Sequence, residues 1–214
     1  MAGLRALVCD FGGVLTTPVS GMVAPLLEST GATMQQVASA LEAATARLGA
    51  NPLVELERGR ISEAVFLEEV GAELGAQVGR PLSLEGMGER MFASLEPNVE
   101  MLELVRRVRE RGLQTAICTN NVREWSERWR AMIPVSELFD VVVDSAFVGV
   151  RKPQPEIYEL TLERLGVEPA GALMVDDSDA NCRGAARVGM RTVHFRDTEQ
   201  AIREIEAALG EAVR

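Results

Sequence analysis

Apolar residues fall in two rhythms along this chain. Five strand-length stretches, 4–9, 113–118, 139–143, 171–175 and 191–195, are bounded by turn residues. Short apolar runs of that kind predict strands buried on both faces. Elsewhere the apolar positions recur every three or four residues, which predicts amphipathic helices. The spacing predicts a short helix over 22–29. A second runs from a Thr33 cap to Leu48, with Met34, Val37, Ala38, Leu41 and Ala44 on one stripe and Gly49 as its stop. Asn51-Pro52 breaks the chain, and 53–59 has no clear period and ends in a turn. Ser62 caps a helix carrying Val65, Phe66, Val70 and Leu74, with Gly75 as stop. One more is expected over 83–95, weakened by Gly86 and Gly88.

From Pro97-Asn98 onward helix and strand alternate. Asn98 caps a helix with Met101, Leu102, Val105 and Val108 on one face, closed by Gly112. Further helices are predicted over 122–132, 155–165 and 179–188 and from Thr198. Alternation of this kind implies an α/β layered fold with a mostly parallel sheet. Residues 17–93 then form an all-helical insert between the first strand and the rest, so that 1–16 and 94–214 make the core.

Three of the strands end in the same way. The first stops at Asp10, followed by Phe11-Gly12-Gly13; the second at Thr119-Asn120-Asn121; the fourth at Asp176-Asp177-Ser178. In an open parallel sheet, ligands bind beyond the carboxyl ends of the strands. A shared sheet therefore brings Asp10, Thr119, Asp176 and Asp177 together. Three carboxylates in one crevice repel one another unless a cation joins them, and hard oxygen ligands select Mg2+ or a similar ion. Lys152 precedes Pro153 and a helix that starts at Pro155, which puts a fixed positive charge on the same side.

Composition narrows the partners. The 214 residues carry 22 Lys and Arg against 32 Asp and Glu, a formal net charge of −10. With no basic run, the chain offers no footprint for nucleic acid or anionic lipid. No apolar stretch reaches membrane-spanning length, and the N-terminal run, cut by Asp10, lacks a signal-peptide layout. A cytoplasmic protein is expected; monomer and homodimer both stay open. Cys9, Cys118 and Cys182 read as buried, inert thiols.

Four ordered motifs, Asp10-Phe11-Gly12-Gly13-Val14, Thr119-Asn120, Lys152-Pro153 and Asp176-Asp177, span nearly the whole chain. Together they resemble the haloacid dehalogenase (HAD) superfamily, subfamily I, which pairs a Rossmann-like three-layer core with a helical cap. Cys118-Thr119-Asn120, the run from Lys152 to Tyr158 and Val175-Asp176-Asp177 are similar to the phosphatase group that includes the N-terminal domain of soluble epoxide hydrolase. The resemblance implies a hydrolase acting on a small phosphorylated substrate through an aspartyl-phosphate. Asp10 would be the nucleophile. Asp10, the Gly12 carbonyl, Asp176 and Asp177 would hold Mg2+. Gly12, Gly13, Thr119, Asn120 and Lys152 would bind the phosphoryl group, with Thr119 and Lys152 catalytic.

The resemblance also exposes a gap. Most phosphatases of this kind carry a second Asp two residues after the nucleophile, where this chain has Gly12. General acid–base help is worth ~100- to 10,000-fold. Thr16, Thr17, Glu55 and Glu57 are possible substitutes, and acyl phosphates or anomeric sugar phosphates would need little protonation. A 2-haloacid dehalogenase and a weakly active binding module are the alternatives; the adjacent acids Asp176 and Asp177 favour metal and hence the phosphatase. Asn120 either contacts substrate or shapes its turn. Trp125 and Trp129 read as core or subunit-contact residues, Asp179 as a first-turn helix acid, and His194, the single histidine, leaves no place for a histidine-based triad.

Overall fold

The computed structural model describes residues 3–211. Five strands, β1 (Ala6–Cys9), β2 (Gln114–Thr119), β3 (Val141–Asp144), β4 (Ala172–Asp176) and β5 (Arg191–His194), form one sheet in the order β3-β2-β1-β4-β5. Every pairing is parallel. The expected α/β fold is therefore present, with β1 at the centre.

Strand periodicity builds the layers. Leu7, Cys9, Ile117, Leu173, Val175 and Val193 face one way and enter a core with Met101, Leu104, Val105, Val108, Trp129 and Ile205. Ala6, Val8, Ala116, Cys118, Val143 and Met174 face the other way and pack on Ile157, Tyr158, Leu162, Leu165 and Ala185. A strand buried on both faces has no polar side to show, which is why these runs read as continuously apolar.

The chain leaves the sheet after β1 and returns at Pro97, where Thr16 and Pro97 make an isolated antiparallel bridge and Thr17 N donates to Glu96 O at 2.8 Å. Between those points lie α1 (Ala24–Thr30), α2 (Met34–Leu48), α3 (Pro52–Glu57), α4 (Glu63–Val78) and α5 (Met87–Phe92). Their own small core holds Leu26, Ala40, Leu74, Leu84 and Met87. α6 (Val99–Glu110), α7 (Ser126–Met132), α8 (Val135–Leu138), α9 (Ser145–Val148), α10 (Pro155–Leu165), α11 (Asp179–Arg187) and α12 (Thr198–Glu211) complete the chain. None of the described helices is long and apolar enough to cross a membrane.

Caps set most helix starts. Thr33 and Gln36 form a capping box, and Ser62 and Asn98 accept from Val65 N and Met101 N. Several bounds differ from expectation. α4 does not stop at Gly75: a Cβ there would come within 2.9 Å of the Arg80 carbonyl oxygen, so this glycine serves a close approach inside the helix. The stop is Gly79, at φ +79°. The helix expected over 83–95 shrinks to α5, because Gly86 adopts a left-handed conformation just before it. Residues 52–57 are helical, with Asn51 capping and Pro52 in the first turn. The stretch 19–23 is a 3-10 turn ahead of α1, and 123–125 is another ahead of α7. α8 and α9, four residues each, were too short to leave a period. In α2, Met34 is 56% exposed and Ala40 and Ala44 are the buried positions.

Trp129 is fully buried against Phe11, with ring centroids 5.0 Å apart, and its Nε1 donates to Asp144 Oδ2 at 3.3 Å. Trp129→Phe keeps the packing and removes a donor from a buried carboxylate. It should cost about 1–3 kcal/mol, read as a lower urea midpoint at unchanged slope.

Candidate active site

Register explains how distant residues meet. Cys9 pairs with both Ile117 and Val175, so the next residue, Asp10, lies level with Cys118 and Asp176, and Thr119 follows one step on. All strands run the same way, so these ends open on one edge of the sheet. Asp10, Asp176 and Asp177 each offer a carboxylate oxygen there, all within 4.8 Å of one another.

Lys152 reaches into this group from the loop before α10. It is fully buried, with Nζ 2.8 Å from Asp10 Oδ1 and 2.6 Å from Asp176 Oδ2. Burial alone would lower its pKa; the two carboxylates overcome that and hold it well above the ordinary range. Its loop is pinned by Asn120, whose Oδ1 accepts from Lys152 N at 2.8 Å and whose Nδ2 donates to Lys152 O at 3.1 Å. Of the two readings of Asn120, the geometry gives its side chain the shaping role, while the residue also borders the cavity described below.

The carboxylates are not equivalent. Asp10 Oδ1 also accepts from Phe11 N at 2.7 Å. Burial pushes the Asp10 carboxyl up to about 7, with Lys152 pulling it down and Asp176 adding to the rise. Asp176 has both oxygens engaged: Oδ2 with Lys152, Oδ1 with Ser178 N and Asn181 Nδ2, each at 2.9 Å. Asp177 is raised by burial and by repulsion from Asp176, and His194 Nε2 lies 3.0 Å from its backbone carbonyl oxygen. A Cβ on Gly13, at φ +78°, would strike Asp177 Oδ2, so glycine is required for the carboxylate to lie against the turn. Three hard oxygen donors facing one ammonium fit a divalent cation of the Mg2+ type, with Asp10 and Asp177 the freer ligands.

The remaining expected residues sort clearly. Thr119 is buried at the end of β2, its Oγ1 donating to Asn120 O at 3.4 Å. Thr16 Oγ1 accepts from Gly13 N, and Thr17 Oγ1 accepts from Glu96 N, so both hydroxyls serve the turn. Asp179 is an exposed partner of Arg183 at the start of α11. Burial pushes the Cys9 thiol up to about 12 and those of Cys118 and Cys182 to about 11, which keeps all three unreactive at neutral pH.

Above the carboxylates, α1–α5 enclose a cavity of about 460 Å3. Its floor includes Asp10, Gly12, Asn120 and Asp177; its walls include Val19, Met22, Leu26, Leu41, Phe66, Met91 and Trp125. Two members of the sequence stripes, Val37 and Leu41, border this space, Val37 while also packing on the helical core. A Cβ on Gly12 would lie 2.6 Å from Val19 Cγ1, so the apolar wall reaches down over the turn. Sequence reading missed this wall, and also the polar seam beside it. There Ser145 Oγ donates to Glu57 O at 2.6 Å, Arg58 Nη2 donates to Gln154 Oε1 at 2.9 Å, and Arg151 Nε lies 2.5 Å from Glu57 Oε2. The partners are about a hundred residues apart and carry no local signal.

Known proteins resemble this chain. A family model described as haloacid dehalogenase-like hydrolase matches residues 4–189. The chain is 33% identical over 212 residues to acyl-CoA dehydrogenase family member 10 of Mus musculus, covering 96% of this chain and 19% of that protein. It is 26% identical over 219 residues to bifunctional epoxide hydrolase 2 of Rattus norvegicus, covering 97% and 39%. It therefore spans well under half the length of these two relatives. To the sesquiterpene phosphatase astK of Aspergillus oryzae it is 27% identical over 207 residues, covering 96% and 97%. Among solved structures, a HAD family enzyme of Bacteroides thetaiotaomicron in complex with magnesium and inorganic phosphate aligns with a TM-score of 0.69 at 21% identity, covering 91% and 97%. L-2-haloacid dehalogenase of Xanthobacter autotrophicus aligns with a TM-score of 0.65 at 21% identity, covering 99% and 88%. At those identities the structural likeness speaks for the fold.

Removing Lys152 tests the electrostatics directly. Lys152→Met leaves Asp10 and Asp176 buried side by side without their cation, at a cost of ~3–5 kcal/mol. The Asp10 carboxyl, already raised by burial, would lose the charge that pulls it down and titrate still higher in the folded protein. The deficit should be small near pH 4, where the unfolded carboxylates also bind protons, and should grow as pH rises through the folded values. Urea unfolding at several pH values in chelator reads this trend; a deficit independent of pH would contradict it.

Proposed function

The chain belongs to the haloacid dehalogenase-like hydrolases, and on that premise we propose that it is a Mg2+-dependent phosphatase acting on a phosphate monoester with an apolar leaving group. The observation that carries this reading is the junction of two environments: a carboxylate floor, backed by the buried Lys152, opening directly into a cavity with mainly apolar walls. In this reading the helices of 17–93 act as the cap that shuts the reacting group away from water.

Asp10 supplies the nucleophile. One of its oxygens attacks phosphorus, the bond to the leaving oxygen breaks, and an aspartyl-phosphate forms. Lys152 has three N–H donors and spends two on Asp10 and Asp176, which leaves one for a phosphoryl oxygen. Thr119 and the backbone of the glycine turn supply further donors where negative charge builds. Asp10, Asp177 and the Gly12 carbonyl would hold Mg2+, with Asp176 ordering the group through Lys152, Ser178 and Asn181. Bound there, the ion would supply charge neutralisation for the phosphoryl oxygens.

The cavity changes the expected substrate. A sugar would bury hydroxyls against Met22, Leu26, Leu41 and Phe66, at a cost for each unpaired group. A hydrocarbon loses nothing there and gains ~0.8 kcal/mol per buried methylene. A relative similar over nearly its whole length is named a sesquiterpene phosphatase, in keeping with an apolar skeleton.

Hydrolysis should need both Mg2+ and Asp10. Asp10→Asn or excess chelator should lower turnover of a long-chain alkyl phosphate at least about a thousandfold. Across a series of linear alkyl phosphates, kcat/KM should rise about fourfold per methylene until the cavity is full. A flat series would contradict the apolar leaving group. Halide release from 2-haloacids without phosphate release would turn the assignment to the dehalogenase.

A further inference from the structure

Gly12 leaves the reaction without a proton donor next to the nucleophile, and the Val19 side chain lies against the turn there. The replacement must come from elsewhere on the cavity wall. Besides Asp10 and Asp177, the carboxylates bordering the cavity are Glu57 and Glu63. Glu63 is occupied: its Oε1 accepts from Trp125 Nε1 at 2.8 Å. Thr16 and Thr17 serve the turn. Glu55 does not border the cavity and pairs with Arg58 and Arg60 at 3.4 Å.

Glu57 is placed differently. It ends α3, and Ser145 of the core holds its backbone carbonyl. Its side chain is 17% exposed and meets Arg151, the neighbour of Lys152 in the chain. Glu57 Oε2 and Arg151 Nε, 2.5 Å apart, form an ion pair. That pair fixes the Glu57 carboxyl at the cavity wall, beside the loop that carries Lys152.

We propose that Glu57 is the general acid and base of this phosphatase, reaching the leaving oxygen from the cap side in place of a side chain at position 12. The assignment rests on the phosphatase reading above. In the first half-reaction Asp10 attacks phosphorus, the bond to the alkoxide oxygen breaks, and Glu57 gives that oxygen its proton, releasing the alcohol. In the second, the Glu57 carboxylate takes a proton from water, whose oxygen attacks phosphorus. The bond to Asp10 breaks, and inorganic phosphate, the Asp10 carboxylate and protonated Glu57 result.

The surroundings suit both states. Burial raises the Glu57 carboxyl above its ordinary range, while Arg151 and Lys152 pull it back. The same cavity also holds Asp10, Asp177 and Glu63. A carboxylate in the last turn of a helix faces the negative end of the helix dipole, which also favours the protonated form.

The test compares leaving groups. An alkyl phosphate needs a proton on departure; p-nitrophenyl phosphate does not. Glu57→Gln should lower alkyl phosphate turnover ~100- to 10,000-fold. With p-nitrophenyl phosphate it should keep a fast burst of nitrophenolate followed by slowed turnover, since only the second half-reaction needs the base. The high-pH limb of kcat for the alkyl substrate, which reports the protonated acid, should vanish in the variant. Loss of the fast nitrophenolate burst along with alkyl phosphate turnover, or no loss on the alkyl substrate, overturns the assignment. Asp10→Asn is the control: if wild type shows no Asp10-dependent phosphate release from either substrate, the phosphatase reading itself fails. Should Glu57→Gln not fold, Glu57→Asp keeps an acid but shortens its reach, and the same selective loss on the alkyl substrate is required.

Discussion

Everything at the sheet's carboxyl edge depends on one buried ammonium. Lys152 Nζ sits between Asp10 and Asp176 and so ties the ends of β1 and β4 to the loop before α10. Asn120 clamps that loop to the end of β2 through two backbone hydrogen bonds. Four segments distant in sequence are thus fixed by one charge. A buried ion pair is a weak source of net stability, because desolvation offsets the attraction. Its value here is positional. Asp10 and Asp176 are each met by the ammonium and by an aligned backbone donor, so both carboxylates are held in place. Three carboxylates against one ammonium still leave an excess of negative charge, the condition under which a divalent cation belongs in the site.

Directly above this polar floor the chemistry reverses. Helices α1–α5 present mainly apolar side chains to the same space, and Val19 extends that surface to the glycine turn itself. The two features are linked. A Cβ at position 12 would press on the Val19 side chain, so an acid beside Asp10 and the apolar wall draw on the same space. The proposed acid, Glu57, stands on another part of the same wall, where Ser145 and Arg151 of the core hold it in place.

Much of this was legible in the sequence, and the reason is register. A parallel sheet places the residue after each strand on a common edge, so Asp10, Thr119 and Asp176 could be brought together from strand ends alone. Thr33, Ser62 and Asn98 marked helix starts because side-chain capping is local chemistry. What was not legible was non-local or ambiguous between two local uses. Gly75 looked like a stop and is a close contact; Gly79 is the stop. The stripe with Val37 and Leu41 borders a cavity as well as core, because periodicity reports an apolar face without saying what it meets. Glu57 with Arg151 and Glu63 with Trp125 bridge separate parts of the chain, and no spacing rule foretells such pairs.

The central claim, that phosphorus rather than carbon is attacked when water completes the reaction, can be tested by following oxygen. The purified protein would be turned over on an alkyl phosphate in heavy-oxygen water with Mg2+, and both the released phosphate and the peptide containing Asp10 weighed. The account predicts heavy oxygen in the phosphate and none in the Asp10 carboxylate. Label appearing in Asp10 would mean that water attacks the carboxyl carbon of an ester intermediate, as a dehalogenase chemistry requires, and would contradict the phosphatase account.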